Sequence, residues 1–389
     1  MTQPPKNILV AQTNYLGDLL LTLPLLTALR ARFPSAGIDI LVQKELSDLV
    51  ALHPAVREVL SMDKSGEHRT VRGFFRLVRT VRATKYDLAI VLPGSIRTAL
   101  VTLFARIPRR IGWEPGTALS GQMKHVRFPS AMRTLPYVRG ILSFEYVFRA
   151  SRPLRKFFPP LFTVTLESRP GEHVAQRRLG TMLALGSPVS GEISAPWLQI
   201  PETVRVNIAA RYPSCTNGRA VLAPGATQPT RCWPEEHFAR LARLLAADRY
   251  AVYILGGVTE KDLSERIARA AGSPNVVSVA GKLAIVESME LIRQSVVVVA
   301  NDSAPVHMAS AMGTPTVALF GPTLPSFGFA PLAPGSRVIE RSGLSCRPCT
   351  VYGSSYCPVG THECLRSITV EEVRAAIAET ILDKSDRHV

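Results

Sequence analysis

Short apolar runs rich in β-branched residues alternate along this chain with longer stretches whose apolar positions recur every three or four residues. The first kind reads as buried parallel strands and the second as helices laid over them, a pattern that predicts an α/β chain built on doubly wound parallel sheets. In the first half, strands are expected at 7–11, 38–42 and 87–92, with another edge at 109–112 and a helix over about 19–33. Residues 128–155 are mixed in character. A helical patch at 172–185, a Gly/Pro/Ser-rich stretch and a short helix near 202–211 then read as a connection. After it the rhythm restarts, with strands at 220–223, 251–255, 276–279, 296–300 and 316–320 and helices at 235–247, 260–271, 287–294 and just beyond Asp302. A last helix covers 370–382. At 389 residues the chain exceeds one typical core, so two domains are expected, 1–170 and 218–389, joined through 171–217. Two such domains would place their ligand loops around a shared cleft.

The candidate chemistry lies where these strands end. Asn301-Asp302-Ser303-Ala304-Pro305-Val306-His307 runs from one buried strand into a helix, with Asp302 or Ser303 as the expected cap and Pro305 in the first turn. A helix N-terminus at the carboxyl edge of a parallel sheet suits a phosphate, although an ordinary strand-to-helix connection would look similar. In the loop 223–234, Gly225, Thr227 and Thr230 offer small or hydroxylated contacts and Arg231 a planar cation suited to a diphosphate. Gly256-Gly257 would let a nucleoside approach, with Glu260 accepting from ribose hydroxyls or merely favouring a helix dipole. Gly281-Lys282 adds a small-residue turn with a cation. Near the N-terminus, Gly17 permits a tight turn, and Asp18 is either a helix-favoured acid or a general base for an acceptor hydroxyl.

Charge adds a partner to this picture. The formal net charge is +16. Residues 1–170 hold 25 Lys/Arg against 11 Asp/Glu, whereas the remainder holds 21 against 19. Arg69, Arg72, Arg76, Arg79 and Arg82 recur at helical spacing and form one stripe, either a solvated face or a surface drawn to anionic lipid head groups. No groove-reading motif accompanies the charge, which argues against nucleic acid. The apolar runs are strand-length, well short of the ~20 residues needed to span a membrane, and no secretory signal opens the chain; a cytoplasmic protein is expected. Four cysteines cluster at Cys346, Cys349, Cys357 and Cys364. The first pair has metal-ligand spacing and the second is looser than a zinc ribbon, leaving reduced thiols in a packed loop or a structural metal as the alternatives.

In their order along the chain, these motifs resemble glycosyltransferase family 9, the ADP-heptose:lipopolysaccharide heptosyltransferases. The resemblance runs from Ile8-Leu9-Val10 and Gly17-Asp18 through Leu23-Pro24, Pro224-Gly225-Ala226, Trp233-Pro234 and Ala280-Gly281-Lys282. It is sharpest at Asn301-Asp302-Ser303 with His307 and at Gly321-Pro322-Thr323, and includes Cys346-Arg347-Pro348-Cys349. It implies a GT-B architecture: two Rossmann-like domains facing across a cleft, with the nucleotide sugar on the C-terminal one and the acceptor, with Gly17 and the stripe Arg72, Arg76 and Arg79, on the N-terminal one. It further implies inverting transfer of heptose from ADP-heptose to the lipopolysaccharide inner core, without a metal or other cofactor, at the inner face of the bacterial inner membrane. Asp18 matches the family's proposed base, Arg231 stands where lysine is usual, Asp302, Ser303 and His307 match the donor loop, and Glu260 the ribose acid. Ala304 replaces a common glycine, which would matter if that turn required a positive φ.

Overall fold

The computed structural model describes residues 3–93, 96–113, 161–167, 169, 171–187, 193 and 195–385; the mixed stretch 128–155 lies outside them. The chain forms two compact units, Met1–Glu192 and Ile193–Val389.

In the first unit, strands β1 (Asn7–Gln12), β2 (Gly37–Gln43), β3 (Glu58–Met62), β4 (Leu88–Val91), β5 (Arg109–Trp113) and β6 (Val164–Leu166) form a sheet in the order β3-β2-β1-β4-β5-β6. Every pairing is parallel, with Val10 facing Ile40 on one side and Ile90 on the other. Between β1 and β2 the chain makes two helices, α1 (Leu16–Leu20) and α2 (Leu23–Arg32), where one was expected. Pro24 explains the break: it has no N–H to continue α1, but is tolerated in the first turn of α2. Helices α3 (Ser47–Val50), α4 (Val71–Ala83) and α5 (Ile96–Phe104) follow, and Leu77, Val81 and Val101 pack with Leu9, Leu41 and Ala89 in one core. The expected edge at 109–112 is internal, because β6 pairs beyond it.

The second unit repeats the plan. Strands β7 (Arg219–Ala223), β8 (Ala251–Ile254), β9 (Val276–Ser278), β10 (Val297–Asn301), β11 (Thr316–Phe320) and β12 (Arg337–Glu340) are ordered β12-β11-β10-β7-β8-β9, again all parallel.

The expected connection 171–217 is divided between the units. Helices α6 (Val174–Leu179) and α7 (Thr181–Ala184) pack on α2, while α8 (Glu202–Arg211) packs on α11 (Ile285–Arg293). The rest of the second unit's helical cover is α9 (Glu235–Ala247), α10 (Lys261–Ala271), α12 (Ala304–Met312), α13 (Glu363–Arg366) and α14 (Val370–Ser385), with Val373 and Ile377 of α14 in the core beside Val299 and Leu319.

Both sheets therefore follow the doubly wound order in which the chain reverses direction once, between β1 and β4 in one unit and between β7 and β10 in the other. At such a switch point the neighbouring loops diverge and leave a crevice beyond the strand ends, the position where ligands bind in open α/β sheets. Among the described residues, no helix is long and apolar enough to cross a membrane.

Candidate functional site

At the first unit's switch point, the loop leaving β1 is braced from several strand ends. Gln43 at the end of β2 donates to the carbonyls of Thr13 (2.9 Å) and Asn14 (2.8 Å). Asn14 donates to Pro93 O beyond β4 at 2.8 Å, Thr13 pairs with Thr98 of α5 at 3.0 Å, and Lys64 also bonds to Thr13 O. This rigid loop delivers Asp18 in α1. Gly17 lies inside that helix rather than in a tight turn ahead of it, so the expected turn role does not apply. The Asp18 carboxylate takes a 2.7 Å ion pair from Arg178 of α6, whose side chain is 4% exposed against 24% for Asp18. Arg178 also bonds to the Asp18 carbonyl and, at 3.0 Å, to Thr22 Oγ1. Burial lowers the pKa of the Arg178 guanidinium, and Asp18 pushes it back up. Sequence reasoning missed Arg178. The available signal was a pair of adjacent arginines, Arg177 and Arg178, in a helical patch that turns apolar immediately after them.

The second unit's switch point holds the reverse pair. Arg231, after β7, bonds to Asp302, after β10, at 2.8 Å; here the guanidinium is 16% exposed and the carboxylate 6%. Asp302 Oδ2 accepts from Thr323 Oγ1 at 2.6 Å. Buried Asn301 fastens both ends of the arginine's loop, accepting from Trp233 N–H (3.0 Å) and donating to Pro224 O (2.7 Å). Neither Asp302 nor Ser303 supplies the expected side-chain cap to α12. The Asp302 carboxylate serves Arg231 and Thr323, and Ser303 Oγ donates to Asn301 O at 3.1 Å. Pro305 does lie in the first turn, and Ala304 is an ordinary helical residue free of the positive φ that would have strained it. His307 is buried in the second turn with its ring 6.0 Å from that of Phe329.

The neighbouring loops close around Glu260. A Cβ on Gly225 would meet Glu260 Cγ at 2.5 Å, so that glycine permits a close approach. Glu260 accepts from Gly257 N–H at 2.7 Å, and Gly281 N–H bonds to Gly256 O at 3.0 Å, joining the loops after β8 and β9. Thr227 is exposed. Two expected contacts are committed elsewhere. Thr230 is buried with its hydroxyl on Ser354, and Lys282 folds back onto Ser278 O at 2.8 Å.

Arg72, Arg76 and Arg79 stand exposed on α4, with Arg76 paired to Glu67. The apolar residues of that helix divide: Leu77, Val78 and Val81 are buried, whereas Val71 is exposed and Phe75, 50% exposed, forms an edge-to-face cluster with Phe74 and the half-exposed Phe104. The cysteines of 346–364 are free thiols. Burial first, and the neighbouring thiols second, push Cys349 up to about 12; burial and Cys357 push Cys364 up to about 11. Among the described residues no group of three or more ligating side chains is arranged to hold a metal ion.

Two doubly wound parallel sheets of this order, one in each unit, are the architecture of the GT-B fold. The profile of glycosyltransferase family 9 (heptosyltransferase) matches residues 74–140 and 198–359, and the chain belongs to that family. It is 28% identical over 341 residues to lipooligosaccharide heptosyltransferase 2 of Haemophilus influenzae, covering 86% of this chain and 88% of that one. Among solved structures, the ADP-heptose LPS heptosyltransferase II of Escherichia coli superposes with a TM-score of 0.71 at 25% identity, over 97% of this chain and 99% of that one. A family 9 glycosyltransferase of Veillonella parvula superposes at 0.75 with 21% identity, over 97% of both chains, a likeness of fold.

Proposed function

We propose that this glycosyltransferase moves heptose from ADP-heptose, with inversion, to a hydroxyl of the lipopolysaccharide inner core. The observation that carries the reading is the pair of oppositely signed switch points, a presented carboxylate in one unit and a presented guanidinium in the other. In this reading Asp18, oriented by Arg178, takes the proton of the acceptor hydroxyl as its oxygen attacks the anomeric carbon. Arg231 and the N–H groups opening α12 stabilise the negative charge that gathers on the departing ADP. Glu260 among its glycines is assigned to the ribose, with Gly257 and Gly281 giving the nucleoside room. No metal or further cofactor is assigned, since the guanidinium supplies the cation that a diphosphate leaving group needs. The relatives, heptosyltransferases of lipopolysaccharide and lipooligosaccharide, support the acceptor, and the Escherichia coli ADP-heptose LPS heptosyltransferase II supports the donor as well.

The acceptor side is assigned to the first unit. Arg72 and Arg79 beside the exposed Phe75, Phe104 and Val71 support peripheral attachment to an anionic membrane, with aromatic side chains entering the interface and arginines facing the head groups. Such a protein would work at the inner face of the bacterial inner membrane. The test is release of ADP from ADP-heptose by the purified chain, with heptose-deficient core lipid as acceptor and a panel of other nucleotide sugars in parallel. ADP release with transfer to lipid is expected. Release only from a different donor reassigns the sugar, and no release from any donor defeats the reading in favour of a non-catalytic glycolipid binder.

A further inference from the structure

The cysteine-containing loop touches the donor-side ion pair from two directions. On the first, Thr230 Oγ1 donates to Ser354 O and accepts from Ser354 N–H, both at 2.8 Å, and Arg231 Nη1 donates to Tyr352 O at 3.3 Å. Gly353 lies between, at φ +82°, where a Cβ would come within 2.6 Å of Arg231 Cδ and 2.8 Å of Gln228 Cβ. The 352–354 backbone is thus a wall against the aliphatic stem of Arg231, close enough to exclude any side chain. On the second, Arg347 is almost wholly buried and its fork is fully engaged. Nε donates to Gly321 O (2.5 Å), Nη2 to Thr323 O (2.7 Å) and Nη1 to Arg341 O (2.9 Å), and Glu340 neutralises it at 2.5 Å. Cys349 N–H bonds to Pro322 O at 3.0 Å. The 321–323 turn held in this way carries Thr323, whose hydroxyl binds Asp302 Oδ2, while Asp302 Oδ1 binds Arg231.

The contacts close a ring: Asp302 to Arg231, Arg231 to the 352–354 backbone, along the loop to Cys349 and Arg347, from there to Thr323, and back to Asp302. We propose that loop 346–354 is a positioning strap for donor binding, with Gly353, Arg347 and Thr323 as positioning residues that hold Arg231 and Asp302 in the geometry a nucleoside diphosphate meets. The proposal rests on the assignment of Arg231 to the donor diphosphate. An arginine on a free loop samples many rotamers, and a ligand must then order it at the expense of affinity; one already walled in and paired is preorganised. The pairing with Asp302 is an exchangeable contact, since the guanidinium remains partly exposed and can share its remaining N–H groups with an anion.

The test compares Gly353→Ala, Thr323→Val and Thr323→Ser with the parent and with Arg231→Ala, reading ADP affinity by calorimetry, KM and kcat with ADP-heptose, and thermal midpoint. Gly353→Ala and Thr323→Val are expected to raise the KM for donor and the Kd for ADP about tenfold, with kcat changed less than about threefold; Thr323→Ser restores both constants. If Gly353→Ala does not fold, the Thr323 pair decides, because Val keeps the shape of threonine without its hydroxyl and Ser keeps the hydroxyl without the methyl. ADP affinity and KM unchanged in folded Thr323→Val and Gly353→Ala overturn the proposal, as does a fall confined to kcat or to thermal midpoint. Arg231→Ala separates the two levels. If it loses ADP affinity while the strap variants keep theirs, the strap alone fails; if it too binds ADP normally, the donor-site assignment fails.

Discussion

The two switch points are mirror images in charge. In the first unit a buried arginine anchors a carboxylate that solvent reaches; in the second a buried carboxylate anchors a guanidinium that solvent reaches. In each pair the anchor is nearly sealed from water and the presented partner is more exposed, 24% against 4% in the first unit and 16% against 6% in the second. Under the proposed roles, the difference shows how one architecture could serve opposite chemical tasks, a carboxylate presented to a proton and a guanidinium to a leaving diphosphate, each held still by a counter-charge from behind. The arrangement also makes each pair asymmetric, because removing the presented member strands a buried ion, whereas removing the anchor leaves a group that water can solvate.

That asymmetry gives the largest expected effects. Asp18→Ala should lower kcat by ~10²–10⁴ with ADP affinity near that of the parent, and should also destabilise the first unit by about 3 kcal/mol because Arg178 is left buried without its counter-ion. Arg178→Met, which fills the same space without charge, should cost less than about 1 kcal/mol of stability yet lower kcat by about 10², through loss of orientation rather than loss of the base. Urea melts and steady-state kinetics on the two variants decide the matter. If Arg178→Met is the less stable of the two, or keeps full turnover, the distinction between anchor and presented group is wrong.

A second contrast between the units is in pH. His53 of the first unit is buried with Thr27 Oγ1 3.2 Å from Nε2 and Ala55 N–H donating to Nδ1 at 3.1 Å, and burial lowers it from 6.5 to about 4. Below pH 6.5 the unfolded chain therefore binds a proton that the folded unit refuses, so stability is full above about 6.5 and drains away down to about pH 4, by at most ~3 kcal/mol. In the second unit the sign reverses. Cys349 and Cys364, at about 12 and about 11, keep protons that the unfolded chain releases above about 9, so its stability falls as the pH rises through that value. Chemical denaturation followed by unit-specific hydrogen exchange should show the first unit weakening on the acid side and the second on the alkaline side, and His53→Gln should flatten the acid limb. An unchanged acid limb in that variant removes His53 as its cause.

Much of this layout was legible in the sequence because it is local. The strand ends at Asn301-Asp302-Ser303 and Pro224-Gly225, the helix 235–247 and the restart of the rhythm after residue 218 all declare themselves within a dozen residues. Arg178 did not, because its partner Asp18 is 160 residues away and only tertiary packing joins them. For the same reason Thr230 and Lys282 looked like ligand contacts: a hydroxyl or ammonium at a strand end carries no mark of whether Ser354 or its own turn will claim it. Strand β3 escapes the pattern because Glu58 and Ser61 interrupt its apolar run, and β12 because each of its four residues is only half-buried. The patch at 172–185 reads as helical from its own sequence but carries no mark of belonging to the first unit, since packing on α2 leaves no local signature.

The smallest expected effect concerns the remaining imbalance, the surplus of cations on the first unit. Charge alone does not distinguish a membrane-facing helix from a solvated one, but α4 contains an internal control. Arg76 is already paired with Glu67, whereas Arg72 and Arg79 make no ion pair among the described residues. If the stripe meets anionic lipid, each free arginine contributes about 1 kcal/mol near the surface, so Arg72→Gln and Arg79→Gln should each weaken binding to phosphatidylglycerol vesicles roughly fivefold, and Arg76→Gln by less. The loss should shrink as salt rises and the Debye length contracts. Phe75→Ser should weaken binding by a factor that salt leaves alone, because the ring contributes by leaving water rather than by charge. Vesicle flotation at two ionic strengths separates these outcomes. Equal losses at all three arginines would mean that the helix responds to net charge and presents no oriented face, and no loss at any of them would return the stripe to ordinary solvated surface.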